Sequence, residues 1–272
     1  MEHHYREIIS NKLLISSIAY YFCEINGLNS IPINKPDQGQ IKNLQNIGVI
    51  DHHLNILDLP LGYACYEYHR QSASKSYLDK ILLSKAIKKK VIVDLCCGPG
   101  ATIQELLKEK PEKIYAIDES YTNLSFIDFI EQNENRTIIN KIYRNANSIP
   151  YEMENVDYVI CRVSLQYLEV KKVLAEIYRI LNKCGSFYAI VHGSGYPLDF
   201  IWRRKMLFKS KNQIPAIQKE RLGLLKRAKF LSKQSLIKEM SRLGFKNIEI
   251  FEEQEDNIFG IFPVYFGIFG EK

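Results

Sequence analysis

The chain has 272 residues, 46% of them hydrophobic and 25% charged, enough to bury one large or two small globular cores. Its net charge of +6 is a mild basic excess that does not by itself mark a nucleic-acid protein. No stretch reaches the ~20 apolar residues of a membrane-spanning helix.

The longest apolar-leaning run, 258–269, reads as a buried strand. The opening MEHHYREIIS lacks the uninterrupted apolar stretch of a secretory leader, so export is not expected. Six cysteines without a repeated CxxC unit signal neither a disulfide scaffold nor a zinc site, and reduced thiols in a cytoplasm fit. His3-His4 and His52-His53 have no third ligand at metal spacing, so no metal is expected.

In chain order, apolar residues at helical spacing over 5–28, closed by Gly27, predict an amphipathic helix. Pro32, Pro36, Gly39 and several amides over 31–46 predict a loop or flap. A second helical stretch, 74–89, puts Tyr77, Leu78, Ile81, Leu82 and Ala86 on one side and ends in lysines suited to the negative end of the helix dipole. Strands and helices then alternate: VIVDL (91–95), a Gly-Pro-Gly turn, a helix over 102–108, KIYAID (113–118), the helix NLSFIDFIEQ, TIINKIYRN, VDYVICRV (156–163), the helix VKKVLAEIYRIL and GSFYAIVHG (185–193). Such alternation produces βαβ crossovers and an α/β fold, a mostly parallel sheet with helices on both faces. NIEIFEEQEDNIFGIFPVYFGIFG adds two strands around an acidic turn, an antiparallel C-terminal hairpin that brings the sheet to seven strands.

In an open α/β sheet the ligand lies at the carboxyl ends of the strands. The first strand here runs into Asp94-Leu95-Cys96-Cys97-Gly98-Pro99-Gly100, where Gly98 and Gly100 let the backbone approach a ligand and Asp94 can order the turn. Asp118, 24 residues after Asp94, ends the second strand, where a carboxylate can grip the two hydroxyls of a ribose. There is no GK[ST] for phosphates and no G-x-G-x-x-G nicotinamide fingerprint.

With these residues the chain resembles the class I S-adenosylmethionine-dependent methyltransferases, from about residue 74 to the C-terminus. The resemblance implies a Rossmann-like fold, methyl transfer, and S-adenosylmethionine as cofactor with S-adenosylhomocysteine as product. The family's first motif, D/E-x-G-x-G-x-G, matches except that Cys96 stands at the first glycine, which tightens the turn near the methionine part of the ligand. By the same resemblance Asp118, with Glu119 beside it, binds ribose. Asn145 replaces the usual adenine-binding aspartate and can still accept through its carbonyl oxygen, and Ala146 contributes its backbone N–H. Arg162 and, after it, Gln166 and Tyr167 face cofactor and acceptor.

Upstream, Tyr63, Tyr66, Tyr68, His69 and Arg70 form an aromatic and basic cluster. In the family such a segment folds over the methionine end, so Tyr66 would approach the sulfonium and Arg70 pair with the carboxylate; the alternative is a half-buried helix face. His192 ends the fifth strand, where it either takes a proton from the acceptor or is a loop histidine bonded to backbone. Residues 196–233 carry 11 Lys or Arg against two acids, +9, leaving −3 for the rest. Related methyltransferases cover the acceptor with insertions here, so this segment is expected as a cap, with Tyr196 and Trp202 touching the acceptor and Met206, Leu207 and Phe208 lining it. Its charge suits an anionic acceptor or is a solvated helix face.

The expected organisation is a helical extension at 1–73 and a methyltransferase core at 74–272 with the basic cap inserted at 196–233. Three functions stand: methylation of oxygen, nitrogen or carbon on a small metabolite by in-line displacement, methylation of RNA tracked by the basic segment, and a non-catalytic partner protein that binds the cofactor. The RNA reading lacks an NPPY-like motif after the fourth strand and a Pro-Cys pair at Cys161. Intact Asp94, Gly98, Gly100 and Asp118 oppose the non-catalytic one.

Overall fold

The computed structural model describes residues 8, 11–28, 33–73, 76–132, 138–150, 152–203, 219, 222–223, 225–226, 228–253, 255 and 257–272. Helix α1 (Lys12–Asn26) starts where Asn11 accepts hydrogen bonds from the Leu13 and Leu14 N–H groups, and ends at Gly27 in the left-handed region. The expected loop over 31–46 is corrected: Gln38–Asn46 is a helix, α2. Its start is a reciprocal capping box between Asp37 and Gln40, so the amides that suggested a loop are the ones that satisfy the first turn. Helix α3 (Leu59–Ala73) contains the whole aromatic and basic cluster, and α4 (Tyr77–Lys85) is capped by Ser76.

The alternating part follows as β1 (Val91–Leu95), α5 (Ala101–Leu106) with a short 3-10 turn (Leu107–Glu109), β2 (Lys113–Asp118), α6 (Tyr121–Gln132), β3 (Ile138–Tyr143), β4 (Val156–Arg162), α7 (Val170–Ile180) and β5 (Leu181–His192). Then come α8 (Tyr196–Arg203), α9 (Lys233–Leu243), β6 (Lys246–Glu252) and β7 (Tyr265–Glu271). The sheet has seven strands in the order β3-β2-β1-β4-β5-β7-β6. All neighbours from β3 to β5 pair parallel, and β7 pairs antiparallel with both β5 and β6. The hairpin is therefore at the expected edge, but the strand expected over 258–269 begins only at Tyr265. Ile258 and Phe262 form an isolated bridge instead, leaving Phe259 and Ile261 facing solvent. Composition alone cannot separate an apolar strand from an apolar loop.

Period-two alternation sorts the strands onto two cores. Ile92, Tyr158, Ile160, Tyr188 and Ile190 join one apolar cluster with residues of α1, α3, α4, α5 and α6. Val93, Leu95, Val159, Cys161, Phe187 and Ala189 join the other, with α7 and α9. Residues of 1–73 thus belong to the same core as one face of the sheet. Among the described residues no helix is long and apolar enough to cross a membrane. Half of the expected cap, including Met206, Leu207, Phe208 and several of its basic residues, lies outside the described residues.

Candidate cofactor and acceptor site

Strand order reverses between β1 and β4, and the crevice over their carboxyl ends is where an open α/β sheet receives a ligand. The turn after β1 is built for close approach. Cys96, Gly98 and Gly100 all take left-handed backbone, at φ of 58°, 56° and 78°. Nothing lies within 4 Å of the place a Gly98 Cβ would occupy. Cys96 costs about 1 kcal/mol in a conformation that favours glycine. Burial, then the charge of Asp118, pushes its thiol up to about 12, so it stays protonated at neutral pH.

Asp118 knits the turn to β2. One carboxylate oxygen accepts from the Gly98 N–H at 2.9 Å; the other accepts from the Ser120 N–H at 2.8 Å and from Asn123 Nδ2 at 3.1 Å. Its neighbour Glu119 accepts from Asn145 Nδ2 at 2.7 Å, tying the end of β2 to the loop after β3. The Asn145 carbonyl oxygen takes the Asn147 N–H at 2.9 Å, which shapes the turn around buried Ala146.

Asp94, one residue from the end of β1, and Arg162, the last residue of β4, stand on neighbouring strands but do not share a partner. Asp94 is 1% exposed, and neither carboxylate oxygen has a hydrogen bond. Burial lifts its pKa to about 7, with Arg162 opposing and Asp118 adding to the rise. Arg162 is committed to Asp79 of α4 through two bonds of 2.7 and 3.1 Å, a pair largely removed from water. Burial alone would raise the Asp79 pKa; the Arg162 bonds and the Ser76 cap outweigh it and hold it below the ordinary value.

Around the end of β5 the chemistry is aromatic. His192 is buried, with Tyr196 stacked on it at 3.4 Å between ring centres and Tyr167 and Tyr265 edge-on at 5.9 and 5.5 Å. Its Nδ1 has no hydrogen-bond partner, and burial lowers its pKa to about 3, so the ring is neutral. Beside it, Gln166 is buried with Nε2 donating to the Val163 carbonyl at 2.9 Å and its own side-chain oxygen without a partner. Tyr167 is half exposed and Trp202 faces solvent.

In α3, Arg70 bonds Glu67 at 2.6 Å, and the charge of Glu67 raises the arginine's pKa further above its already high value. Tyr66 is buried and stacks on Phe22 of α1 at 5.6 Å. The structure thus brings Asp94, Cys96, Gly98, Gly100, Asp118, Glu119, Asn145, Ala146 and Arg162 to one crevice, with His192, Gln166, Tyr167 and Tyr196 beyond it.

Four participants were not singled out in the sequence. Tyr265 lies opposite His192 only because β7 inserts antiparallel next to β5. Asp79 had a local signal, three residues after Ser76 in a capping box, but nothing in the sequence points from it to Arg162. Glu67 sits one turn before Arg70 on α3, a spacing that signals the pair. Asp199 of α8 is buried near Tyr265, whose hydroxyl pKa is raised by burial and by Tyr196.

No curated protein matches the chain in sequence. Solved structures share its fold at low identity. A Mesorhizobium loti S-adenosylmethionine-dependent methyltransferase is 14% identical with a TM-score of 0.52, over 71% of this chain and 95% of that one. Geranyl diphosphate C-methyltransferase from Streptomyces coelicolor A3(2), solved with geranyl diphosphate and S-adenosylhomocysteine, is 13% identical at 0.53, over 71% and 77%. Phosphoethanolamine N-methyltransferase 2 from Haemonchus contortus, also solved with S-adenosylhomocysteine, is 13% identical at 0.56, over 78% of this chain and 57% of that longer one. Residues 93–189, which carry the glycine turn, the acid ending β2 and the strands beneath them, match the model of a methyltransferase domain. On that match the chain contains a methyltransferase domain, set in a fold that S-adenosylmethionine-dependent methyltransferases share.

Proposed function

We propose that the enzyme methylates a small molecule held between the crevice and the His192 ring cluster. Bound in the crevice, S-adenosylmethionine supplies an electrophilic methyl group on a sulfonium. Asp118 is suited to the ribose hydroxyls, Asn145 and the Ala146 N–H to the adenine. Asp94, the open side of Gly98 and the Cys96 and Gly100 turn suit the methionine end, with Arg70, Tyr66 and Arg162 flanking it. An orphaned carboxylate beside an open glycine is what a positively charged ligand would complete.

The observation that carries the acceptor reading is the His192 Nδ1, buried and without a partner among three tyrosine rings. A hydroxyl or amine of the acceptor that donates to this nitrogen is oriented for in-line attack, and alignment supplies most of the rate in such a displacement. With a pKa near 3 the ring accepts a hydrogen bond well and holds a proton poorly, so His192 positions the nucleophile and the proton passes on to solvent. Gln166, Tyr167 and Tyr196 complete the wall, with Trp202 at the rim. The +9 segment at 196–233 favours an acceptor with negative charge, and we read it as a cap on a core of 74–272 that works in a cytoplasm.

Incubation of the enzyme with methyl-labelled cofactor and a fractionated cell extract tests this reading. Label in the small-molecule fraction, cut at least tenfold by His192→Phe with cofactor affinity unchanged, is the expected result. Label in RNA that vanishes steeply with salt establishes the RNA reading instead. Cofactor binding without transfer to any fraction establishes the non-catalytic one.

A further inference from the structure

The wall around His192 leaves two buried hydrogen-bond acceptors unmet. Gln166 is 1% exposed and His192 4%, and among the described residues neither the Gln166 side-chain oxygen nor the His192 Nδ1 has a partner. Strand register brings them to one place. β4 and β5 run parallel with Arg162 opposite Ile190, so the residues that follow Arg162 stand level with His192 at the end of β5. The Val163 N–H donates to the Ile190 carbonyl at 2.8 Å, and the chain then folds into a short 3-10 turn (Leu165–Tyr167) that carries Gln166. The next residue, Tyr167, lays its ring edge-on against His192 at 5.9 Å.

Gln166 cannot turn to satisfy itself. Its Nε2 donates to the Val163 carbonyl at 2.9 Å, which only the nitrogen end of an amide can do, so the oxygen end is held in place as an acceptor. The Lys229 N–H donates to the Gln166 main-chain carbonyl at 2.9 Å and holds the turn from the other side. A buried acceptor without a donor opposes folding, and two in one wall mark what a ligand has to supply.

The number of donors separates the candidate nucleophiles. A hydroxyl brings a single O–H and leaves one of the two acceptors unmet, and a carbon nucleophile brings none. A neutral primary amine brings two N–H groups. With one on each acceptor and its substituent in a third direction, its lone pair takes the fourth corner of the tetrahedron and is free to meet the methyl group. Proton chemistry favours the same atom: burial leaves His192 with a pKa of about 3, too weak a base for the proton a hydroxyl must lose, whereas a neutral amine attacks as it stands.

We propose, resting on the small-molecule reading, that the acceptor is a primary amine held by His192 Nδ1 and the Gln166 side-chain oxygen, and that it receives one methyl group. The nitrogen lone pair forms the new N–C bond as the S–C bond breaks, and the sulfur keeps that electron pair and leaves as neutral S-adenosylhomocysteine. The product ammonium sheds its extra proton to water. It then has a single N–H to share between two acceptors, which disfavours a second transfer.

A small-molecule fraction of cell extract is divided, and one half is treated with an acyl ester that caps primary amines and spares hydroxyls before enzyme and methyl-labelled cofactor are added. Capping should cut the incorporated label about tenfold or more, and NMR of the purified product should place the new methyl group on nitrogen. That N-methyl product, returned as substrate, should react about tenfold more slowly in kcat/KM than its parent amine. Gln166→Leu leaves one acceptor, so this preference should disappear while melting temperature and S-adenosylmethionine affinity hold; a merely structural role would slow both substrates alike.

Label that survives capping, a methyl group on oxygen or carbon, or an N-methyl product that reacts as fast as its parent overturns the amine assignment and leaves the small-molecule reading intact. A Gln166→Leu enzyme that keeps the preference overturns it too, and if that variant does not fold, the parent enzyme's own preference decides. Label in RNA, or in no fraction, overturns the small-molecule reading itself and the assignment with it.

Discussion

At the ends of β1 and β2, polar groups are tied to one another by short bonds: Asp118 to Gly98, Ser120 and Asn123, and Glu119 to Asn145. At the ends of β4, β5 and β7, aromatic rings from separate segments crowd one imidazole, and two buried polar atoms, His192 Nδ1 and the Gln166 oxygen, are left without partners. The first region is a preformed cradle in which local bonds at the end of β2 are joined to the turn after β1 and the loop after β3. The second is a wall whose unmet hydrogen bonds define what an acceptor must bring. Asp94 and the Asp79–Arg162 pair lie on the border and separate two ways of burying charge: one neutralised by partnership, the other by a shifted pKa.

The sharpest way to break that comparison is Asp79→Ala. It strands the Arg162 charge in a largely buried place and should cost about 3–5 kcal/mol in denaturant unfolding, with much of the loss recovered when Arg162→Leu is added. A loss below about 1 kcal/mol would mean that Arg162 is solvated and available to ligand.

Next in size, Asp118→Ala removes the carboxylate that both shapes the turn and is suited to the ribose. Calorimetry should show S-adenosylmethionine affinity down by about thirtyfold to a hundredfold, the equivalent of roughly 2–3 kcal/mol. An unchanged affinity would move the cofactor away from β2.

Titration sharpens the contrast at the border. The folded pKa of Asp94, about 7, lies above the ~3.9 of an unfolded aspartate, so its contribution is fully present below ~4 and is lost as pH rises through 7. Cofactor charge favours the ionised form, so S-adenosylmethionine should bind about tenfold more tightly near pH 8 than near pH 6, with Asp94→Asn flattening the profile. For His192 the sign is opposite. Its folded pKa of about 3 lies below the unfolded ~6.5, so its contribution is present above ~6.5 and is lost as pH falls toward 3. His192→Phe should therefore flatten the acid side of the stability curve and leave the pH dependence of cofactor binding unchanged. If both substitutions moved the same limb, the two regions would be one electrostatic unit.

The smallest expected effect is at Cys96. Replacement by Gly relieves a left-handed cysteine and should stabilise the fold by about 1 kcal/mol in thermal melts without weakening the cofactor. A loss of affinity would give the thiol a contact with the ligand.

The βαβ alternation, the turn at 94–100 and Asp118 at the end of its strand were all legible in the sequence. Each depends on residues close in sequence: glycines where the backbone must turn left-handed, β-branched runs for buried parallel strands, an acid at the strand end. Reading failed where the physics was less local. The capping box that makes α2 was hidden among residues that also make loops, and an apolar run at 258–269 divided into an exposed turn and a strand. Tyr265 reached His192 through an antiparallel insertion, and Arg162 was drawn to Asp79 across 83 residues.

What the sequence alone determined, then, was a sheet of this class and a turn able to approach the cofactor, because hydrophobic period and backbone conformation are written within a few residues. Which buried charges are paired and which nitrogen is left wanting a donor were decided only when β4, β5 and β7 came together. Pairing and desolvation depend on what lies within a few ångströms in space, and neighbours in space are not neighbours in the chain.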